Sequence, residues 1–149
     1  MMNLRDLLDD PDFVQSVPYS KAKYNPNDII LKENDNSQDV YFILDGEVQV
    51  STNIDGDVNK LLPGLARLSK DDFFGELSMF DGEPRSAEVT ALTACEIAKV
   101  DGSLMISFMD RYPEKGYFVL RELFMHLVMR MRQNNIRTKT VLQLYLNEK

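Results

Sequence analysis

Gly75, Glu76 and Arg85 fall within one stretch whose residue types suit an anionic, sugar-bearing ligand: Phe73-Phe74-Gly75-Glu76-Leu77-Ser78-Met79-Phe80-Asp81-Gly82-Glu83-Pro84-Arg85-Ser86-Ala87. Gly75 has no Cβ, so the backbone there can approach a ligand closely or adopt a φ closed to other residues. A helical turn expected over residues 76–80 leaves unpaired N–H groups at its start, which favour an anion. Arg85 adds a planar fork of donors matched to two phosphate oxygens. Glu76 would repel a phosphate, so its place beside that site requires a second role. Accepting a hydrogen bond from a sugar hydroxyl is one. Gly82 and Pro84 shape the return that carries Arg85 back over the helix start. The plainer alternative is a Glu76–Arg85 ion pair beside an ordinary loop, and the residue types alone leave both readings open.

The rest of the chain must hold this stretch between two strands. Residues 3–17 predict a short helix with Leu4, Leu7 and Leu8 on one face, interrupted at Pro11 and ended by Pro18. From about residue 28 the pattern changes to short strands. Residues 28–33 carry Ile29, Ile30 and Leu31, and residues 40–44 are a continuous apolar run, as expected for a strand covered on both faces. Residues 47–52 alternate, with Val48 and Val50 opposite Glu47, Gln49 and Ser51. Asp45-Gly46 and Asp55-Gly56 are hairpin-turn signals. Residues 86–92, with Ala87, Val89 and Ala91 on one face, and residues 95–100 complete the set, which predicts a small β-sandwich or barrel. After Val100 the period becomes helical: a short helix over 102–111 stops before Pro113, and one long helix runs from 114 to about 147. There is no internal repeat, so residues 1–149 read as one unit ordered helix, barrel, helix pair.

The run Phe-Gly-Glu-Leu-Ser at residues 74–78, followed after a short spacer by Pro-Arg-Ser-Ala at 84–87, resembles the phosphate-binding cassette of cyclic-nucleotide-binding domains. A weaker resemblance extends over roughly residues 24–140 and includes Tyr41-Phe42-Ile43-Leu44-Asp45-Gly46-Glu47-Val48, which is similar to the family's second and third strands. The resemblance implies a mainly β fold with flanking helices (α+β). Its centre would be a jelly-roll-like β-roll over about 24–100 with the cassette at 73–87, between an N-terminal helix at 3–17 and C-terminal helices over about 102–147. It implies that Glu76 holds a ribose 2′-hydroxyl and that Arg85 pairs with the cyclic phosphate. The backbone around Gly75, Leu77 and Ser78 would cradle the sugar-phosphate, with Phe74 and Ala87 flanking it and Ser86 adding a phosphate or base contact. The long helix would close over the base, bringing Asn134, Asn135 and Thr138 toward it. One departure is the turn before the two phenylalanines. It reads Ser69-Lys70-Asp71-Asp72 where the family carries glycines, and Asp tolerates left-handed backbone better than most residues.

The expected function is therefore binding of cyclic AMP or cyclic GMP as a signalling ligand, not a cofactor, with occupancy relayed through the C-terminal helices. A non-binding oligomerisation or protein-interaction module with a degenerate cassette is the alternative. The chain ends soon after the long helix without a helix-turn-helix, pore, kinase or cyclase segment, so a stand-alone domain is expected. Ser78 and Ser86 have no histidine in a related motif, so no catalytic triad is supported and no enzyme activity is expected. His126, the lone histidine, has no Cys, Asp or Glu at ligand spacing on its helix face, and no metal is expected.

Cys95 is the only cysteine, which excludes an intrachain disulfide and fits a reducing cytoplasm. No apolar run of about 18 residues encodes a membrane-spanning helix, and the acidic start lacks the basic and apolar regions of a secretory signal. The net charge of −7 and pI of about 4.7 lack the basic excess that nucleic-acid binding favours, so neither nucleic acid nor membrane is an expected partner. In the long helix Leu120, Phe124, Leu127, Met131, Asn134, Thr138, Val141 and Tyr145 recur in alternating steps of four and three. Two readings of this stripe are open, and each can hold on a different part of the helix: packing on the chain's own barrel, or the seam of a parallel homodimer with Asn134 and Thr138 mid-seam near the ligand. The sequence names no downstream protein.

Overall fold

The computed structural model describes residues 4–53 and 61–148. Asp10 divides the N-terminal segment into a 3₁₀ helix over Leu4–Asp9 and α1 over Pro11–Ser16. Its carboxylate accepts the backbone N–H groups of Asp12 (3.0 Å) and Phe13 (3.1 Å), and Pro11 sits at the first helical position, where no donor is needed. The single helix expected over 3–17 is thus corrected to two, because Pro11 starts a helix as well as interrupting one. Residue 3 lies outside the described residues.

The strands are β1 (Tyr19–Tyr24), β2 (Ile29–Leu31), β3 (Val40–Asp45), β4 (Val48–Asn53), β5 (Leu61–Leu68), β6 (Phe73–Phe74), β7 (Glu88–Ala91) and β8 (Cys95–Val100). Between β6 and β7 lies α2 (Glu76–Asp81), and after β8 come α3 (Gly102–Arg111) and α4 (Pro113–Asn147). Two four-stranded sheets form, ordered β1-β8-β3-β6 and β2-β7-β4-β5, with antiparallel pairing throughout. This is the expected mainly β roll with flanking helices.

β3 shows why its sequence is apolar without alternation. Val40, Phe42 and Leu44 join a core under the helices, with Leu7, Phe13, Phe73, Phe108, Val119 and Leu123. Tyr41 and Ile43 point the other way, into a core between the sheets with Val48, Phe74, Val89 and Ile97. A strand buried on both faces has no polar side to encode.

Three strands, β1, β5 and the two-residue β6, escaped the sequence reading. β1 carries Lys21 and Lys23 and lies at a sheet edge, where lysines are common. β5 contains Pro63 and Gly64, which argue against a strand, but it too is an edge, where proline is tolerated. The Asp55-Gly56 turn signal lies outside the described residues. The turn at Ser69–Asp72 does survive without glycine: Asp71 adopts a φ of 74°.

α4 is 35 residues long, or about 52 Å at 1.5 Å per residue. Its first half buries Gly116, Val119 and Leu123 against the molecule, and from Met131 onward every described residue is exposed. Leu120, Phe124, Met131, Val141 and Tyr145 of the heptad stripe are each at least half exposed. These positions therefore stay largely uncovered, whereas Leu127 of the same stripe is half-buried and the face centred on Val119 and Leu123 packs on the molecule.

Phe108 ties α3 to α1 by an edge-on contact with Phe13 at 5.2 Å and also meets Tyr112 at 5.1 Å. Phe108→Ala should cost about 3–5 kcal/mol of folding stability. Chemical denaturation with an unchanged denaturant slope is the measurement. A loss near zero would remove Phe108 from the structural core.

Candidate functional site

The β6–α2 junction turns at Gly75, whose φ is 86°. A Cβ there would stand 2.8 Å from the Asp39 carbonyl oxygen and 2.9 Å from Arg85 Nη1, so only glycine lets this backbone cross over the arginine. Arg85 is 2% exposed. Its Nη1 donates to the Gly75 carbonyl at 2.7 Å and its Nη2 to the Asp39 carbonyl at 2.7 Å. Nε and Nη2 both donate to Ser37 Oγ, at 3.3 and 3.2 Å. A guanidinium has five N–H donors, so one on Nη1 is left uncommitted. The open two-oxygen fork expected from the sequence is here largely anchored to the protein.

Every acceptor of Arg85 is neutral, and among the described residues no carboxylate is in contact with it. The segment between β2 and β3 grips the same residue by its backbone. Asn34 N–H donates to the Arg85 carbonyl and Arg85 N–H to the Asp35 carbonyl, each at 2.8 Å. Ser37 Oγ in turn donates to Asp35 Oδ2. The Ser37 hydroxyl and amide, with a smaller contribution from the Arg85 charge, hold the Asp35 carboxyl below the usual carboxylate range. Tyr41 stacks on Phe74 with centroids 4.9 Å apart and lies 5.9 Å beneath the guanidinium carbon. Burial, reinforced by the Asp39 charge, pushes its phenol up to about 12.

Glu76 is 4% exposed. Its Oε1 accepts Arg130 Nη1 at 2.8 Å, and Arg130 Nη2 donates to the Phe73 carbonyl at 2.9 Å. Oε2 accepts no hydrogen bond among the described residues. Glu76 and Arg85 are therefore not paired with each other, and the simple ion-pair alternative does not describe this loop.

Phe74, Gly75, Glu76, Leu77, Ser78, Arg85, Ser86 and Ala87 all line one cleft, walled by Leu31, Val50 and Val89. Its empty volume is about 440 Å³, part of it open solvent. Ser86 is exposed, Ser78 buried, and Leu77 45% exposed at the rim. Asn134, Asn135 and Thr138 are exposed and do not line the cleft. α4 reaches it through Arg130, one turn before Asn134. Extending the 134–138 step back by four residues would have found Arg130. Nothing in the sequence links Ser37 and Asp39 to an arginine more than 40 residues later.

The family model of the cyclic nucleotide-binding domain matches residues 21–112. The chain belongs to that family. It is 36% identical over 80 residues to a cAMP-dependent protein kinase regulatory subunit of Debaryomyces hansenii, covering 54% of this chain and 16% of that protein. It is 30% identical over 112 residues to the cAMP-activated global transcriptional regulator CRP of Haemophilus influenzae, covering 74% of this chain and 49% of the regulator. The chain thus spans at most about half the length of these curated relatives. A solved cyclic nucleotide-binding domain from Methylobacillus flagellatus superposes with a TM-score of 0.72 at 27% identity, covering 80% of this chain and 65% of that one. Both curated relatives carry regulatory names.

Arg85→Ala would leave the half-buried Gly75 and Asp39 carbonyls without their donor and should cost about 1–3 kcal/mol of stability. Denaturation of the unliganded protein reads this directly, and parental stability would show that the clamp is not structural.

Acid should also loosen the fold. The Asp35 carboxyl is held down by Ser37, Asp10 by Lys115 and Asp101 by Ser103. A depressed folded-state value contributes stability above the ordinary carboxylate pKa of about 4, and that contribution is lost as pH falls through the folded value. Urea midpoints should fall below about pH 5, with a shallower acid limb in Asp35→Asn.

Proposed function

We propose that this chain binds cyclic AMP or cyclic GMP in the cassette cleft and reports occupancy through α4, performing no chemistry of its own. The observation that carries this reading is a buried cation without a contacting anion among the described residues. Arg85 is surrounded by neutral acceptors, although a buried charge is ordinarily paired. A cyclic nucleotide carries one negative charge, which the remaining Nη1 N–H and the backbone at Ser86 and Ala87 would meet. The vacant Glu76 Oε2 suits a ribose hydroxyl, beside the Gly75, Leu77 and Ser78 backbone. Phe74 forms part of the apolar wall.

Because Arg130 shares Glu76, an occupant touching that carboxylate acts on α4 directly. Asn134 and Thr138 would meet the base only after α4 moves. A contact made in one helix position and worth about 2–3 kcal/mol would shift populations roughly 30- to 150-fold. The exposed heptad stripe fits a second copy of the chain, giving a parallel homodimer whose mass sedimentation would show.

A second reading is a cassette that folds but does not bind. It is favoured by the four committed donors of Arg85 and by the Arg130–Glu76 pair. Calorimetric titration with both nucleotides separates the two. Saturable one-to-one binding is expected, weakened by about 2–5 kcal/mol in Arg85→Ala and by less in Arg85→Lys. A 2′-deoxy analogue should lose affinity in the parent but little more in Glu76→Ala. No heat, and no thermal shift at millimolar concentrations of either nucleotide, would establish the non-binding module.

A further inference from the structure

We infer that the groove between α2 and α4 is a docking surface for a second copy of this chain, so that the cassette helix itself belongs to the interface. This surface rests on the proposed homodimer seam along the heptad stripe and adds a second wall to it. Leu77 and Phe80 of α2 line the groove with Leu120, Leu123, Phe124 and Leu127 of α4, around an empty volume of about 450 Å³ including its open mouth. Glu76 is the one charged residue among the described residues lining it, and Arg130 already holds its carboxylate. Leu77, Phe80, Leu120 and Phe124 are 45–61% exposed. Large apolar side chains gathered at that exposure mark an interaction surface.

The period of α4 identifies the occupant. Leu120, Phe124 and Leu127 are also the first three positions of the stripe that continues through Met131, Asn134, Thr138 and Val141. The groove is therefore the proximal end of one continuous surface. Steps of four and three match another helix lying alongside, and from Leu120 to Val141 they run for about 32 Å. α3, the longest other helix among the described residues, has only 10 residues, and its Met105 and Phe108 already share the core with Val119 on the buried face of α4. A second copy supplies a helix of equal length and identical period. Paired in parallel about a two-fold axis, each position meets its own counterpart. That symmetry penalises charge at every position, and in a chain of net charge −7 no stripe position is charged. The Asn134 amide both donates and accepts, so it can pair with its own copy. At the proximal end the second helix meets α2 as well as α4, whereas a seam of α4 alone would leave Leu77 and Phe80 in water.

Leu77 also lines the cassette cleft, so association is measured on the nucleotide-free full chain, by sedimentation equilibrium over a range of concentrations. A reversible dimer is expected. Phe80→Glu would bury a carboxylate in the interface and should weaken the dimer at least about ten-fold. Phe80→Ala, which only removes apolar area, should weaken it by a smaller factor in the same direction. Met125→Glu alters an exposed position of α4 outside the groove and should leave the dimer constant within about two-fold of the parent. A dimer that Val141→Glu disrupts and neither Phe80 variant weakens would keep the homodimer reading and overturn the groove as part of it. A chain that stays monomeric at millimolar concentration overturns both. If such a monomer instead takes up the apolar dye anilinonaphthalene sulfonate at a site that Phe80→Glu abolishes, the groove belongs to a small apolar molecule. A Phe80-dependent dimer in a protein that binds no cyclic nucleotide sustains the interface while sinking the cassette reading.

Discussion

The structure is organised around a positive charge, that of Arg85, buried without a negative partner among the described residues. Taking a guanidinium out of water is costly unless its donors are met, and here they are met by oxygens drawn from three separate places: the end of β6 at Gly75, the approach to β3 at Asp39, and the side chain of Ser37. Backbone bonds from Asn34 and Asp35 close the ring around the residue itself. Neutral acceptors satisfy geometry without cancelling charge, so the field of the guanidinium extends into the cleft that Arg85 helps to line. The positive φ of Gly75 follows from the same demand, since its backbone must pass within van der Waals reach of Arg85 to supply one of those oxygens.

How much of this was legible depended on whether a feature is local. The cassette could be read because its parts lie within 15 residues and each has a distinct chemical type. β8, α3 and α4 could be read from their own periodicity. β3 was recognisable for a different reason, namely that burial on both faces erases alternation. β1 and β5 were not legible, because edge strands are free to carry lysine, glycine and proline. The partners of Arg85 were hidden more deeply. A carbonyl acceptor leaves no trace in residue type, and Ser37 sits in a polar run that reads only as a loop.

Arg130 was missed on another ground. On a helix, a residue's reach depends on which face turns toward the barrel, and the apolar stripe marks a different face from the one that actually packs. Val119 and Leu123 define the buried side, and Arg130, seven residues beyond Leu123, lies on nearly the same line. Read that way, the arginine marks the place where the core-facing side of α4 changes from apolar to charged.

That change gives α4 its mechanical character. Up to Leu123 the helix is held by buried side chains, whose burial is worth about 1.5–3 kcal/mol each. From Met131 onward every described residue is exposed, and a helix of this kind is held only as firmly as its contacts with the rest of the fold. Arg130 is one such contact, holding the buried Glu76 carboxylate and the Phe73 carbonyl of β6. A bidentate grip of this kind is directional, so it fixes the angle at which the exposed half leaves the barrel as well as its attachment. A group that competed for Glu76 or for Arg130 would act at a joint beyond which about 25 Å of helix extends. On the proposed reading, coupling of cleft to helix would need no chain of intermediate residues, because Arg130 lines the cleft and belongs to α4.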